Sequence, residues 1–333
     1  MFPADNTRGM YAIRTEGLTK DFSIGFWRPR AYRALDGLNL EVTAGETFGF
    51  LGPNGAGKTT TLKLLMQLIY PTSGHAAILD RPVGDVSVKR RIGFLPESPY
   101  FYDYLTAEEL LDYYAALFGY ERVERRRRVS ALLDRVGIAG ERRFPLRKFS
   151  KGMIQRVGIA QALINDPEVV FFDEPMSGLD PLGRREVRNL ILSLRDRGCT
   201  VFFSSHVLSD AEALCNRVAV LAHGKLVANG RISDLQAFDI RGWELIVSGL
   251  TRESLERHRA RIQRVTPIGE QRYSLELPLE PGPDQLLREL TGSGAQVVSL
   301  NPIRETLEDF FVKTIAEQAS ERWSGTGEPR KQS

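Results

Sequence analysis

Residues 52–60 of this 333-residue chain read GPNGAGKTT, and most of the side-chain types in that run have a task at a phosphate. Gly52, Gly55 and Gly57 allow backbone angles that a Cβ forbids, so the main chain can close around phosphate oxygens. Lys58 brings a mobile positive charge for the outer phosphates, and the Thr59 hydroxyl is placed to hold a magnesium ion. Pro53, Asn54, Ala56 and Thr60 complete the wrap. The apolar run at 47–51 reads as a strand entering the loop and 60–69 as a helix leaving it, so unpaired N–H groups at a helix start would point at the anion. A chance glycine-rich turn would lack that strand, loop and helix in register. The expectation is a nucleoside triphosphate site.

A phosphate loop alone leaves kinase, GTPase, motor and transporter open. The apolar run 169–172 is followed by Asp173 and Glu174, two carboxylates at the carboxyl end of a strand, where α/β sheets expose their ligand crevice. Asp173 is expected in the magnesium shell and Glu174 as the general base that polarises the attacking water. His206 lies just past the apolar run 200–204; after the paired acids, a γ-phosphate contact suits it better than a plain surface role. Ser150 and Gly152 open a helix in the stretch FSKGM, ahead of Gln155 and Arg156, and so form a second helix start suited to an anion. Two such starts in one chain suggest two halves of one site.

The elements that must position these groups are legible in outline. From residue 11 to about 230, short β-rich runs alternate with helical ones, as in an α/β domain with a largely parallel sheet. The runs 169–172 and 200–204 have the near-continuous hydrophobicity of strands covered on both faces. Residues 98–165 read as an inserted helical subdomain, with Thr106 and Glu109 as a capping box and Leu110, Leu111, Tyr114 and Leu117 as a core stripe. Beyond residue 230 the pattern is β-α-β-β-α-β, a ferredoxin-like order with a charged helix at 252–262. An amphipathic helix closes it at 305–315, and segments 1–10 and 319–333 are expected to be disordered.

Composition narrows the class further. A hydrophobic content of 42% supports a sizeable core and two domains, and a net charge of +3 from nearly balanced acids and bases leaves no electrostatic footprint for nucleic acid. The arginine run 125–128 reads as a solvated helix face. Cys199 and Cys215 sit apart in apolar segments without metal-ligand spacing and are expected as buried free thiols. The opening MFPADNTRGM has no apolar core and is not expected to act as a signal peptide, and no window approaches a membrane span.

Taken in order, GPNGAGKTT, the segment around Glu97, FSKGM, VVFFDE, SGLD and His206 resemble the Walker A, Q-loop, signature, Walker B, D-loop and switch histidine of ATP-binding cassette (ABC) transporter nucleotide-binding subunits. The resemblance implies a P-loop NTPase cassette over 11–234, with a mostly parallel core sheet, an antiparallel N-terminal β subdomain and the helical insertion. It leaves 235–318 as a small α+β accessory domain. ATP and Mg²⁺ are the implied ligands, with Ser150 and Gly152 facing the γ-phosphate of a second protomer in a head-to-tail dimer with another copy or a paralogue. The implied partner is an integral membrane permease, which would hold the chain at the inner, cytoplasmic face of the membrane, and nucleic acid is not a partner.

Two departures from the family pattern are present. Lys151 and Met153 replace a glycine and the glutamine of the usual signature, and Glu97 replaces the usual Q-loop glutamine, where a carboxylate can still reach magnesium or its water. Both are similar to exporter subunits of the ABC-2 type. In the family an aromatic residue before Walker A stacks on adenine: Phe22 fits, with Phe26, Trp27 and Tyr32 as alternatives. A soluble ABC ATPase acting on ribosomes or DNA usually carries paired cassettes or a long coiled coil, and neither is present. A regulatory cassette without turnover fits poorly with Glu174 and His206 in place.

Overall fold

The computed structural model describes residues 11–25, 30–235 and 240–304. The expectations for 1–10, Phe26, Trp27, the closing helix at 305–315 and the tail lie outside them. The chain divides into two compact units, one ending at Ile232 and the other beginning at Ser233.

In the first unit β1 (Tyr11–Ile24) and β2 (Arg30–Thr43) pair antiparallel, and β3 (Thr47–Leu51) leads into α1 (Lys58–Leu65). β4 (Ser73–Ile78) and β5 (Arg81–Pro82) complete an antiparallel sheet of order β2-β1-β4-β5. After α2 (Val86–Lys89) and β6 (Ile92–Leu95) come the helices α3 (Ala107–Leu117), α4 (Arg122–Arg135) and α5 (Lys151–Ala162). β7 (Val169–Asp173), α6 (Pro181–Arg195), β8 (Thr200–Ser205), α7 (Leu208–Leu214), β9 (Arg217–Ala222) and β10 (Lys225–Arg231) follow. Among the described residues the second sheet has the order β10-β9-β3-β8-β7-β6, parallel from β9 to β6 with β10 antiparallel at one edge.

Burial explains why the central strands read as unbroken apolar runs. Every residue of β3, β7 and β8 is buried, as a sheet covered on both faces requires. Phe202 of β8 is central: its ring centroid lies 5.8, 5.2 and 5.7 Å from those of Phe48, Phe50 and Phe171 on the two flanking strands. Each such pair adds about 0.5–1.5 kcal/mol beyond the area it buries. The result is a stiff sheet whose carboxyl edge can hold groups at fixed spacing.

The helical layer follows the sequence with local exceptions. Thr106 accepts a hydrogen bond from the Glu109 amide at 3.1 Å, while the Glu109 carboxylate accepts one from the Thr106 amide at 2.9 Å, so the capping box is formed. Leu110 and Leu111 are buried but Leu117, in the last turn of α3, is 64% exposed, and Ala115 is buried in the stripe instead. The arginine run is less simply solvated than its charge suggests, because Arg125 reaches across to Asp112 of α3 at 2.9 Å. α1 stops at Leu65, short of residue 69, and Gln67 just beyond it turns into the left-handed region at φ 54°. Both cysteines are free and buried. No described helix is long and apolar enough to cross a membrane.

In the second unit α8 (Ile232–Leu235) crosses the boundary, followed by β11 (Ile240–Ser248), α9 (Arg252–Arg257), β12 (Arg264–Gly269), β13 (Arg272–Pro278), α10 (Asp284–Gly292) and β14 (Gln296–Arg304). The sheet order β12-β13-β11-β14 with antiparallel neighbours is the ferredoxin-like arrangement. Leu245, Val247, Leu275 and Leu277 of the sheet pack with Leu286 and Leu290 of α10. The helix expected at 252–262 breaks: α9 ends at Arg257 and a 3₁₀ turn covers Arg259–Arg261.

Candidate nucleotide site

The carboxyl edges of four adjacent parallel strands deliver the chemistry. In lateral order, β3 runs into the loop 52–60, β8 into His206, β7 into Asp173 and Glu174, and β6 into Glu97. The registers Leu51 opposite Ser205, Asp173 opposite Ser204, and Leu95 opposite Phe172 bring those edges level. This is the ligand crevice that the paired acids suggested.

At Gly52 and Gly57 the loop is pressed against neighbouring backbone that leaves no room for a side chain. A Cβ on Gly57, at φ 108°, would lie 2.5 Å from the Ala34 carbonyl oxygen, and one on Gly52 would lie 2.4 Å from that of Leu221. Gly57 also caps α1 without any side-chain hydrogen bond, so the first-turn N–H groups have no side chain closing over them. Lys58 is buried and its Nζ donates to the Gly52 carbonyl at 2.7 Å and to that of Pro53 at 3.3 Å. A mobile ammonium is thereby folded back over the loop it belongs to.

A buried polar chain connects β7 and β8. Ser204 Oγ donates to Asp173 Oδ1 at 2.5 Å and accepts from the Glu174 amide at 3.1 Å. In the sequence Ser204 carries one signal of this role, a hydroxyl closing a mostly apolar run. Burial pushes the Asp173 carboxyl above its usual range, with hydrogen bonds from Ser204 and Thr59 opposing that rise. Glu174 is buried at φ 50°, and its Oε2 lies 2.8 Å from His206 Nδ1. Its Oε1 lies 3.3 Å from Lys58 Nζ, inside ion-pair reach, yet has no hydrogen-bond partner.

Most of the expected residues converge on one cavity of about 380 Å³, where the loop from Pro53 to Thr60 meets Phe22, Tyr32, Glu97 and Glu174. Phe22 and Tyr32 stand directly opposite each other on the β1–β2 ladder, 36% and 47% exposed, so two of the four candidate aromatics share the place expected for adenine. Asp173 does not line the cavity but bonds to Thr59, which does. Ser150 and Gly152 do not line it at all. Ser150 caps α5, accepting from the Met153 amide at 3.2 Å.

Known proteins show the same pattern. The family model described as ABC transporter matches residues 35–177. An uncharacterized ABC transporter ATP-binding protein of Synechocystis is 44% identical, over 92% of this chain and 85% of its own length. This chain belongs to the ABC transporter ATP-binding proteins. A fluoroquinolones export ATP-binding protein of Mycobacterium tuberculosis is 40% identical over 66% of this chain and 71% of its own. Among solved structures, the dimeric ATP-binding cassette MJ0796 in a post-hydrolysis state with ADP and Pi superposes with a TM-score of 0.61 at 26% identity, covering 66% of this chain and 98% of the other. The family binds ATP, typically with Mg²⁺, and its general activity is ATP hydrolysis.

The residues present in this cassette fit magnesium. Magnesium takes one or two protein ligands and completes its shell with phosphates and water. Thr59, bonded to Asp173, and Glu97 on the same cavity wall are the oxygens such a shell needs.

Two expected results follow for the cassette. Phe22→Ala and Tyr32→Ala should each weaken ATP binding about fivefold, an aromatic contact being worth on the order of 1 kcal/mol. Calorimetry should find inorganic triphosphate bound as before; unchanged ATP affinity in both variants would remove the ring pair from the adenine site. Asp173→Asn removes a buried charge whose raised pKa marks a cost at neutral pH, a cost relieved only as pH falls and the carboxyl protonates. The asparagine can still accept from Ser204, so without nucleotide the melting temperature should rise by roughly 2–4 °C. A lower melting temperature would show that the carboxylate is held favourably.

Proposed function

We propose that the chain is the ATP-hydrolysing subunit of an exporter, which closes on ATP with another cassette, a second copy or a paralogue, and passes that closure to a separate membrane permease. The observation that carries the reading is the separation of the two anion-binding helix starts. The loop at α1 forms the cavity, whereas the helix start at Ser150 and Gly152 lies outside it. A second protomer's α5 can supply what the cavity lacks. The dimeric state of the solved cassette MJ0796 supports the same arrangement.

Within that site the loop amides of residues 52–60 and the start of α1 hold the phosphates, with Lys58 on the outer ones. Thr59, Asp173 and Glu97 would hold magnesium, which would supply positive charge against the phosphates. Glu174 Oε1 accepts the proton of the attacking water, and His206, anchored on Oε2, contacts the γ-phosphate. Phe22 and Tyr32 cover the adenine.

Exposed aromatics lie just beyond Glu97. Tyr100 is 92% exposed and Tyr102 and Tyr104 stand nearby with ring centroids 5.7 Å apart. Exposed clustered rings suit a partner surface, and the permease is assigned there. The fluoroquinolones export relative supports the export reading. Residues 11–234 are assigned as the ATP-binding domain and 235–318 as an accessory domain, with the whole subunit peripheral on the inner face of the membrane.

Cross-linking tests the arrangement. Asn54 and Ser150 are both exposed, while the native cysteines are buried. A chain carrying Asn54→Cys and Ser150→Cys should form an intermolecular disulfide under mild oxidation only with Mg·ATP, doubling its mass on a non-reducing gel. No doubled band with ATP, alone or beside a paralogue bearing the same pair, would overturn the head-to-tail reading.

A further inference from the structure

We propose that the cleft between α4 and the amino-terminal edge of the core sheet binds a small amphipathic anion, an acyl or aryl chain ending in a phosphate or carboxylate. Glu168 and Cys199, which line it, immediately precede β7 and β8, whereas the groups assigned to ATP follow the other ends of the same strands. The cleft is therefore a separate site. Its volume of about 670 Å³ exceeds that of the nucleotide cavity and lies in the range of drug-sized ligand pockets.

The lining combines two arginines that have no acid partner among the described residues with apolar side chains. Arg197 makes no side-chain hydrogen bond or ion pair among the described residues, and the one side-chain bond of Arg135 is from its Nη2 to Ser193 Oγ at 2.7 Å. The other two guanidinium groups of the cleft, Arg127 and Arg128, are taken up by Glu124 at 2.8 and 2.7 Å. Of the two acids in the lining, Glu168 is matched by Arg91, whose Nη2 donates to it at 2.6 Å. Asp166 remains, a single negative charge against two guanidinium groups without an acid partner among the described residues. Such groups fit carboxylate and phosphate oxygens in pairs.

The apolar side chains select for more than a bare ion. Leu132, Leu163 and Leu194 are buried and turn toward the cleft beside Pro167. Cys199 adds a neutral surface, because burial pushes its thiol up to about 12. A lining of apolar side chains and arginines together matches a molecule with a hydrocarbon body and one anionic head. An occupant would touch α4 of the helical layer as well as the end of α6 and the start of β8, and so would brace one layer against the other.

The test is calorimetric titration of the full chain with octyl phosphate, under saturating Mg·ADP to keep the nucleotide cavity filled. Saturable binding is expected, with octylamine and inorganic phosphate at least tenfold weaker. Arg135→Gln and Arg197→Gln should each weaken octyl phosphate about tenfold or more, the loss of a charged hydrogen bond, while leaving ADP affinity unchanged as a check on folding. No binding, equal binding by both variants, or inorganic phosphate binding as well as octyl phosphate would overturn the proposal. If a variant fails to fold, the comparison of octyl phosphate with octylamine on the natural chain still decides. Sedimentation with phosphatidylglycerol vesicles, competed by octyl phosphate, would place the head on a membrane lipid; octyl phosphate binding without it would place it on a soluble anion.

Discussion

Glu174→Gln should lower ATP turnover by about 10²–10⁴-fold, the usual contribution of a positioned general base, while leaving ATP binding intact. The reason is local. Glu174 is buried beside Lys58 and His206, and the Oε1 that faces Lys58 accepts no hydrogen bond. A glutamine keeps the shape and a carbonyl oxygen but cannot take a proton from water. The ATP-bound pair of cassettes should then outlast the measurement, visible as a doubled mass in light scattering with Mg·ATP. Turnover within tenfold of the natural chain would remove Glu174 from the role of base, and a monomeric mass at saturating Mg·ATP, with any paralogous cassette supplied, would remove the dimer.

Lys58→Ala should abolish most nucleotide affinity. A charged hydrogen bond contributes roughly 1.5–3 kcal/mol, and Lys58 stands over a cavity whose other phosphate donors are neutral amides. The substitution also strips Glu174 of its buried cation, which costs stability because the buried carboxylate oxygen facing Lys58 is left without a partner. The two effects separate in a double variant: adding Glu174→Gln removes the stranded charge, so the melting temperature should recover while ATP affinity does not. Affinity within threefold of the natural chain in the single variant would refute the loop assignment. Recovery of binding in the double variant would show that the single one failed through folding.

Much of this site was legible because its motifs are made of local chemistry. A loop such as 52–60 needs particular residues at particular steps, and the apolar runs of β3, β7 and β8 announce strands buried on both faces. What the sequence withholds is lateral order. Ser204 became a positioning residue only because β8 lies beside β7 in a register that sets it opposite Asp173. The choice between Phe22 and Tyr32 was equally closed to sequence, since their pairing is a property of the β1–β2 ladder that places both at the cavity. Leu117 shows the limit of periodicity, which marks a face of α3 but not where its neighbours stop. The arginine cleft draws on α4, α6 and the start of β8, segments far apart in the chain, and no spacing rule connects them.

The level strand edges have one further consequence. Lys58, Glu174 and His206 owe their mutual distances to main-chain ladders between neighbouring strands, not to the helical layer. Ser150 and Gly152, by contrast, ride on α5. A swing of the helices would thus carry one jaw of the clamp while the cutting edge stays put, and substitutions that loosen the jaw should blunt assembly of the clamp without dulling the edge.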